Sequence, residues 1–298
     1  MKAGSLLAVL AVALVAATAA LAAAPAGTPD PATIVLTAAD FPGLAKDKAA
    51  KNQPTGGTII ADRENDIAFT KPYGASRFVE LDSEAAIERD VAAAGGDYAK
   101  LAKTFSSKTF RTGLAKELAG AAKVKPTTVR VVTVRPHGLG VGDSSMEVGY
   151  VVSVKKASLN FSISIVRLDR AIVLNIAFGL SKKVVAADAI AFARLAVAHA
   201  TAALVPIAIA VPTVTGTPQQ GQTLTATPGT WGDTPTGYAY QWQSCDPTGA
   251  TCTDIAAATA ATYVVQPTDV GRTLRVDVTA TNRFGSVPAT SAVTAPAG

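Results

Sequence analysis

Two adjacent segments of strict alternation between apolar and polar residues constrain this chain most. Leu159, Phe161, Ile163 and Ile165 are interleaved with Asn160, Ser162 and Ser164. After a charged turn, Arg167–Ala171, come Ile172, Leu174, Ile176 and Phe178 at the same spacing. Successive side chains of a strand point to opposite faces, so this period means strands with a buried face. The separation is so short that the two form a β-hairpin. Two further strand-like runs, Val129–Val134 and Met146–Val154, follow Pro126, which ends a helical part.

Upstream, Thr37–Gly43 reads as a one-turn helix stopped by Pro42, and Thr58–Ala61 and Ser76–Leu81 read as strands. Asp82-Ser83-Glu84 reads as the start of a helix running to about Ala94, with Ser83 or Asp82 as its cap. Gly95-Gly96 is expected to break that helix and Asp97 to cap the next, Tyr98–Phe105. Ser107 to about Ala122 is a third helical stretch, with Phe110, Leu114 and Leu118 at helical spacing. The Ala-rich segment Val184–Leu204 is amphipathic and should pack across the sheet. Residues 33–204 are thus expected to form an α+β domain: an antiparallel sheet of four to six strands with helices on one face.

Residues 205–298 read differently. Leu224 with Ala226, Tyr238 with Tyr240 and Trp242, and Leu274, Val276, Val278 and Ala280 alternate on single faces of short strands. Roughly seven such strands in ~90 residues, with turns between, imply a two-sheet sandwich. The chain's two cysteines, Cys245 and Cys252, flank Asp-Pro-Thr-Gly-Ala-Thr, whose Pro-Thr-Gly supplies a turn. In an exported chain this pair is expected to oxidise to a disulfide. Two thiols with no nearby His cannot complete a tetrahedral metal site. The segments 221–231 (GQTLTATPGTW), 240–245 (YQWQSC), 261–263 (ATY) and 269–282 (DVGRTLRVDVTATN) resemble the immunoglobulin-like repeats of bacterial secreted and surface proteins. That resemblance spans about 90 residues. It implies a β-sandwich with Trp242 in its core and a role in spacing, display or adhesion, with no active site. The layout of the larger domain and the segment 36–43 (LTAADFPG) resemble the extracellular sensor domains of some bacterial serine/threonine kinases. No residue role follows from that likeness.

Compartment is read from the start of the chain. Lys2 precedes an unbroken run of Leu, Ala and Val with one Thr from Leu6 to Ala22, and Ala20-Leu21-Ala22 offers a small-residue cleavage site. Residues 1–24 therefore read as a secretory signal peptide, followed by a linker over 25–32. The competing reading is an uncleaved anchor, for which the run is short. The expected location is secreted or cell-surface, with no transmembrane segment after cleavage. Charged residues are 16% of the chain and the net charge is +5. Downstream of Leu204 three arginines (Arg272, Arg275, Arg283) face five aspartates (Asp233, Asp246, Asp254, Asp269, Asp277), so the positive excess lies in the larger domain. A moderate excess of this kind most often marks a solvated face.

No catalytic constellation emerges. His137 lies in a Gly-rich loop near Asp143, Ser144 and Ser145, and His199 lies in the last helix. A Ser–His–Asp arrangement needs a His that touches a nucleophile and is oriented by a carboxylate. No nucleophile-elbow motif is present. Gly138, Gly140 and Gly142 precede a strand rather than a helix, and read as turn residues rather than a phosphate loop. Asp62, Glu64 and Asp66 alternate, yet lack the Gly and terminal Glu of a calcium loop and read as a solvated connection. Lys100, Lys103, Lys108, Arg111, Lys116 and Lys123 form a basic stretch in which Phe105 and Phe110 are expected to serve the core, and no nucleic-acid partner is expected of an exported chain. No cofactor and no metal is expected. The resulting functional expectation is a non-enzymatic binding or interaction protein of the envelope or extracellular space, partner unknown. The alternatives are an exported hydrolase with His137 near its site, and a purely structural envelope component.

Overall fold

A computed structural model describes residues 24–52, 59–154 and 157–298. The signal-peptide reading of 1–24 falls, but for Ala24, outside the described residues. The chain divides into two compact units, one comprising Asp30–Ala203 and the other Leu204–Gly298 together with Pro25–Pro29.

The first unit is built on one seven-stranded sheet. Its strands are β1 (Ala45–Asn52), β2 (Ile59–Tyr73), β3 (Phe78–Glu88), β4 (Val129–Gly138), β5 (Ser144–Val154), β6 (Ala157–Leu168) and β7 (Ala171–Gly179). They lie in the order β1-β2-β3-β7-β6-β5-β4, antiparallel throughout. Two meanders, β1 to β3 and β4 to β7, meet at the β3–β7 ladder. Helices α1 (Val91–Ser106) and α2 (Lys108–Ala122) link them, and α3 (Ala186–Ala203) follows β7.

Alternation sorts the sheet residues into two buried layers. Val148, Tyr150, Val152, Phe161, Ile163, Ile165, Ile172, Leu174, Ile176 and Phe178 cluster with Phe105, Leu114 and Leu118 of the α1–α2 pair. On the opposite face Ala189, Ala193 and Phe192 of α3 pack against Val166, Ala177, Leu81 and Phe78. This corrects the expectation of helices on one face: α3 covers the face that carries Asn160, Ser162, Ser164 and Asn175, all buried. Small polar residues beneath an Ala-rich helix let it come close, and Asn160 reaches across to Ser76 O (2.8 Å) and Lys183 O (2.7 Å).

The second unit is β-rich. Strands β12 (Gly237–Cys245), β13 (Cys252–Asp254), β15 (Thr273–Asn282) and β16 (Gly285–Thr290) form a sheet in the order β13-β12-β15-β16. A second sheet joins β9 (Thr213–Thr215), β10 (Thr223–Thr227) and β14 (Thr262–Val264), and β8 (Ile207–Ala210) pairs with β11 (Thr230–Gly232). The core is Trp242, Leu224, Val265, Leu274, Val276 and Val278. The wholly buried Trp242 donates from Nε1 to Ala260 O at 2.9 Å and stacks on Tyr263 at 5.5 Å. The expected division into an α+β domain and an immunoglobulin-like sandwich does not stand as stated. Strands occupy 46% of the described residues and helices 23%, in large antiparallel sheets, so the chain is predominantly β.

Local expectations fail most clearly over 82–96. Asp82–Glu88 belongs to β3, and Asp90 caps α1 by accepting from Ala93 N at 2.8 Å. Asp97 lies inside that helix, not at its cap. Asp82 to Glu88 is composed of residues that suit a helix, but it pairs with β2 on one side and β7 on the other. Burial of Leu81, Ser83, Ala85 and Ile87 in this two-sided ladder outweighs intrinsic propensity. Gly95 and Gly96 sit within α1, and a Cβ built at either meets no atom within 4 Å. Neither glycine is required by packing, so Gly95→Ala and Gly96→Ala should each stabilise the protein by about 0.5–1 kcal/mol. Chemical denaturation would show this as a rise in midpoint at constant slope; a fall would mean the glycines serve the helix in another way.

Candidate functional site

Period two in β2 and β3 places acidic residues of both strands on one face. Glu64 lies opposite Glu84, Asp66 opposite Asp82, and Asp62 opposite Ala86. Asp82, Glu84 and Ala86 in turn face Ile176, Leu174 and Ile172 of β7, which places the acids on the α1–α2 side of the sheet. Asp62, Glu64, Glu80, Asp82 and Glu88 are each at least nine-tenths buried. Asp62–Asp66 is therefore not the solvated connection that its composition implied: it is the middle of a fifteen-residue strand paired on both edges.

Like charges directly opposite one another across strands destabilise a sheet. Lys48 pairs with Glu80, and Lys51 Nζ lies 3.3 Å from Glu64 Oε1. The protein accommodates the remaining charge by holding protons. Burial, reinforced by the neighbouring Glu64, Asp66 and Glu84, pushes the Asp82 carboxyl up to about 8. Asp62 and Glu84 hydrogen-bond to one another, and burial raises both. Two carboxyl groups in such contact share a proton. Among the described residues, one oxygen each of Asp62, Glu80 and Asp82 is buried without a hydrogen-bond partner.

Beside this face a groove of about 210 Å³ opens between the sheet and α1. Its floor is apolar, formed by Ile59, Ala86, Leu101, Ile172 and Leu174, and its polar lining is Glu84, Glu88, Asp97 and Lys100. Lys100 pairs with Asp97 on the helix. The helix contributes Asp97, Lys100 and Leu101 to the groove, one turn and more beyond its small-residue start, Val-Ala-Ala-Ala-Gly-Gly.

The residues named from sequence fall elsewhere. Cys245 and Cys252 are directly opposed in β12–β13 and form a disulfide. His137 Nε2 lies 3.2 Å from Glu147 Oε2, and Glu147 also accepts from Ser162. The carboxylate thus stands between imidazole and hydroxyl, where a nucleophile–base pair needs the imidazole in the middle. Asp143 pairs with Arg167 at 3.5 Å, and Ser145 Oγ accepts from Val141 N at 3.1 Å. His199 Nε2 lies 3.0 Å from Asp40 Oδ1. Gly140 and Gly142 have φ of +69° and +63°, and a Cβ on Gly142 would come within 2.7 Å of Arg167 O, so the Gly-rich segment is a tight β4–β5 turn. In the basic stretch, Phe105 and Phe110 meet edge to face at 5.0 Å within the core.

No known family profile matches the chain, and no curated protein matches it. Among solved structures it is similar to the extracellular domain of PknH from Mycobacterium tuberculosis, at 8% identity over 60% of this chain and 95% of that one, TM-score 0.32. It is similar to domains A168–A170 of titin at 8% identity over 86% of this chain and 99% of that one, TM-score 0.23. It is also similar to a beta-1,2-glucanase from Parabacteroides distasonis at 11% identity over 85% of this chain and 37% of that one, TM-score 0.18. These likenesses are low, so the reading of the chain rests on its own residues. No described helix is long and apolar enough to cross a membrane.

The acidic face sets a pH dependence. A carboxyl whose folded value is raised holds extra protons in the native state between its ordinary value near 4 and the raised one, so its contribution is fully present below about 4 and is lost as pH rises towards 8. In chelator-treated buffer the thermal midpoint of the first unit should fall between pH 5.5 and 8.5, by roughly 5 °C or more. Glu84→Gln, which removes one charge at constant size, should flatten that slope. A wild-type midpoint that rises over this range would contradict the assignment.

Proposed function

We propose that this chain is an exported, non-enzymatic binding protein, and that its ligand site is the groove between β3, β7 and α1. The observation that carries this reading is an apolar floor set against buried carboxyl groups that outnumber the lysines beside them. Ligand sites are concave and mostly apolar, with a few convergent polar groups that fix orientation. Here the convergent groups at Glu84 and Glu88 are acidic, so the ligand carries a cationic group on a small apolar body. Its ammonium would replace the proton shared by Asp62 and Glu84 as the counter-charge, while the alkyl part covers Ile172 and Leu174. A cavity of about 210 Å³ is below the ~300 Å³ at which pockets for drug-sized ligands begin, which favours a small molecule or the tip of a larger one.

An exported location agrees with the hydrophobic leader and with the closed Cys245–Cys252 bridge, since disulfides persist in oxidising compartments. The C-terminal unit would serve display or contact with other envelope components. The absence of a catalytic role is part of the proposal: the imidazole nearest a buried carboxylate, His137, has that carboxylate between itself and Ser162.

Calorimetric titration at pH 8 with hexylamine, hexanol and hexanoate tests the reading. Hexylamine should bind saturably, hexanol weakly and hexanoate not at all. Leu174→Trp, which fills the floor, should abolish hexylamine binding, and Glu84→Gln should weaken it at least tenfold. Equal binding of all three probes, or binding indifferent to Leu174→Trp, would remove the groove as the site.

A further inference from the structure

We infer that Glu64, Asp66 and Asp82 form a binding site for a hard divalent cation of the calcium class on the acidic face of β2–β3. One oxygen from each carboxylate lies within 4.8 Å of the others. Oxygens of calcium sites stand 2.3–2.6 Å from the ion, so two of them are at most about 5 Å apart, and this spacing admits a single ion in contact with all three. The geometry follows from the strand register: Asp66 and Asp82 are directly opposed, and Glu64 is two residues along the same face.

An acidic cluster alone would be unremarkable, but Asp82 is not a solvated member of one. It is 6% exposed, and one of its carboxylate oxygens has no hydrogen-bond partner among the described residues. Leaving a buried polar atom unpaired forfeits its hydration with nothing in return, and the loss is greater if it is charged. The cation at hand is Lys51, which lies 3.3 Å from Glu64 on a side chain that is 57% exposed. A long, largely solvated lysine at the edge strand can swing aside at little cost when an ion arrives.

The donor set selects the ion. Three carboxylates with no imidazole or thiolate suit calcium, magnesium or manganese rather than zinc or copper. Magnesium demands near-octahedral ligands at 2.0–2.1 Å, whereas calcium accepts irregular sets at longer range and completes them with water. Carboxylates that rise side by side from two strands of a pleated surface supply one hemisphere of ligands, which fits the more tolerant ion. The residues are distinct from the lining of the amine groove, so this inference goes beyond that reading and can fail separately from it.

The test uses the full chain after chelator treatment, at pH 8, with calorimetry and thermal unfolding against Ca²⁺, Mg²⁺ and Na⁺. Calcium should bind with one-to-one stoichiometry and a Kd on the order of 10⁻⁴ M, as in extracellular modules. At a hundredfold excess over Kd the midpoint of the first unit should rise by about 5–10 °C. Asp82→Asn keeps the shape and removes one of the repelling charges, so it should fold, show a higher midpoint without metal, and bind calcium at least tenfold more weakly. Leu174→Trp should leave calcium binding intact while abolishing hexylamine binding. No heat and no midpoint shift with calcium up to 10 mM on the order of a hundred such Kd values, or calcium binding unchanged in Asp82→Asn, would overturn the site. Tighter binding of magnesium than of calcium would overturn the assignment of the ion.

Discussion

The ladder between β3 and β7 is the interaction on which the first unit depends. Nine residue pairs from Phe78↔Gly179 to Ile87↔Ala171 join the two meanders into one sheet. Without that seam, β1–β3 would be a three-stranded ribbon with an open edge, and β7 would expose a run in which every residue from Ala171 to Gly179 is buried. Exposed, flat, apolar edges of that kind invite pairing with other chains. The seam also determines where the helices can go. β3 ends at the centre of the sheet, so the chain must travel over one face through α1 and α2 to reach β4 at the far edge. That leaves the other face for α3.

The position of β3 is costly in charge. A central strand is buried on both faces, and here its α1-side face consists of Glu80, Asp82, Glu84, Ala86 and Glu88. Edge placement would have kept these carboxylates in water. The price appears as raised carboxyl values, a shared proton between Asp62 and Glu84, and unpartnered oxygens. Violations of this kind, a local rule broken with no compensating gain inside the fold, concentrate where a protein binds something. A cation or cationic ligand supplies from outside the charge that the sheet lacks.

Much of this was legible in sequence, and the failures have a common cause. The alternations at Leu159–Ile165 and Ile172–Phe178 placed β6 and β7, and the spacing of Phe110, Leu114 and Leu118 placed α2 and its buried face. These signals are local: each lies within the element it predicts. Asp82-Ser-Glu-Ala-Ala-Ile-Glu reads as a capped helix because its partners, Arg63–Asp66 and Val173–Ile176, are distant in the chain. The acidic face was missed for the same reason. Acids at 62, 64 and 66 and at 80, 82 and 84 repeat one spacing in two places, and that repetition was the available signal. Taken singly, 62–66 reads as a solvated connection, and 80–84 as the end of one strand and the start of a helix. Similarly, the alternation over 159–165 marks one buried face, and it does not by itself show that Asn160, Ser162 and Ser164 on the other face are buried as well.

The two faces of the sheet show how the same backbone can be closed on one side and open on the other. Under α3 the buried polar side chains of β5–β7 are Asn160, Ser162, Ser164, Asn175 and one carboxylate, Glu147, which lies against His137 and accepts from Ser162; alanines at 189, 193, 196 and 200 of the helix are fully buried. The alanines let that helix lie close, and the face is held by dispersion contacts and by hydrogen bonds such as those of Asn160 and Ser162. Under α1 the helix presents Ala94, Tyr98, Leu101 and Phe105 to the apolar half of the sheet, and Asp97, Lys100 and Leu101 line the groove beside Glu84 and Glu88. Glu84 and Glu88 of β3 and the turn of α1 that carries Asp97, Lys100 and Leu101 therefore border one groove, whose floor continues into Ile172 and Leu174 of β7.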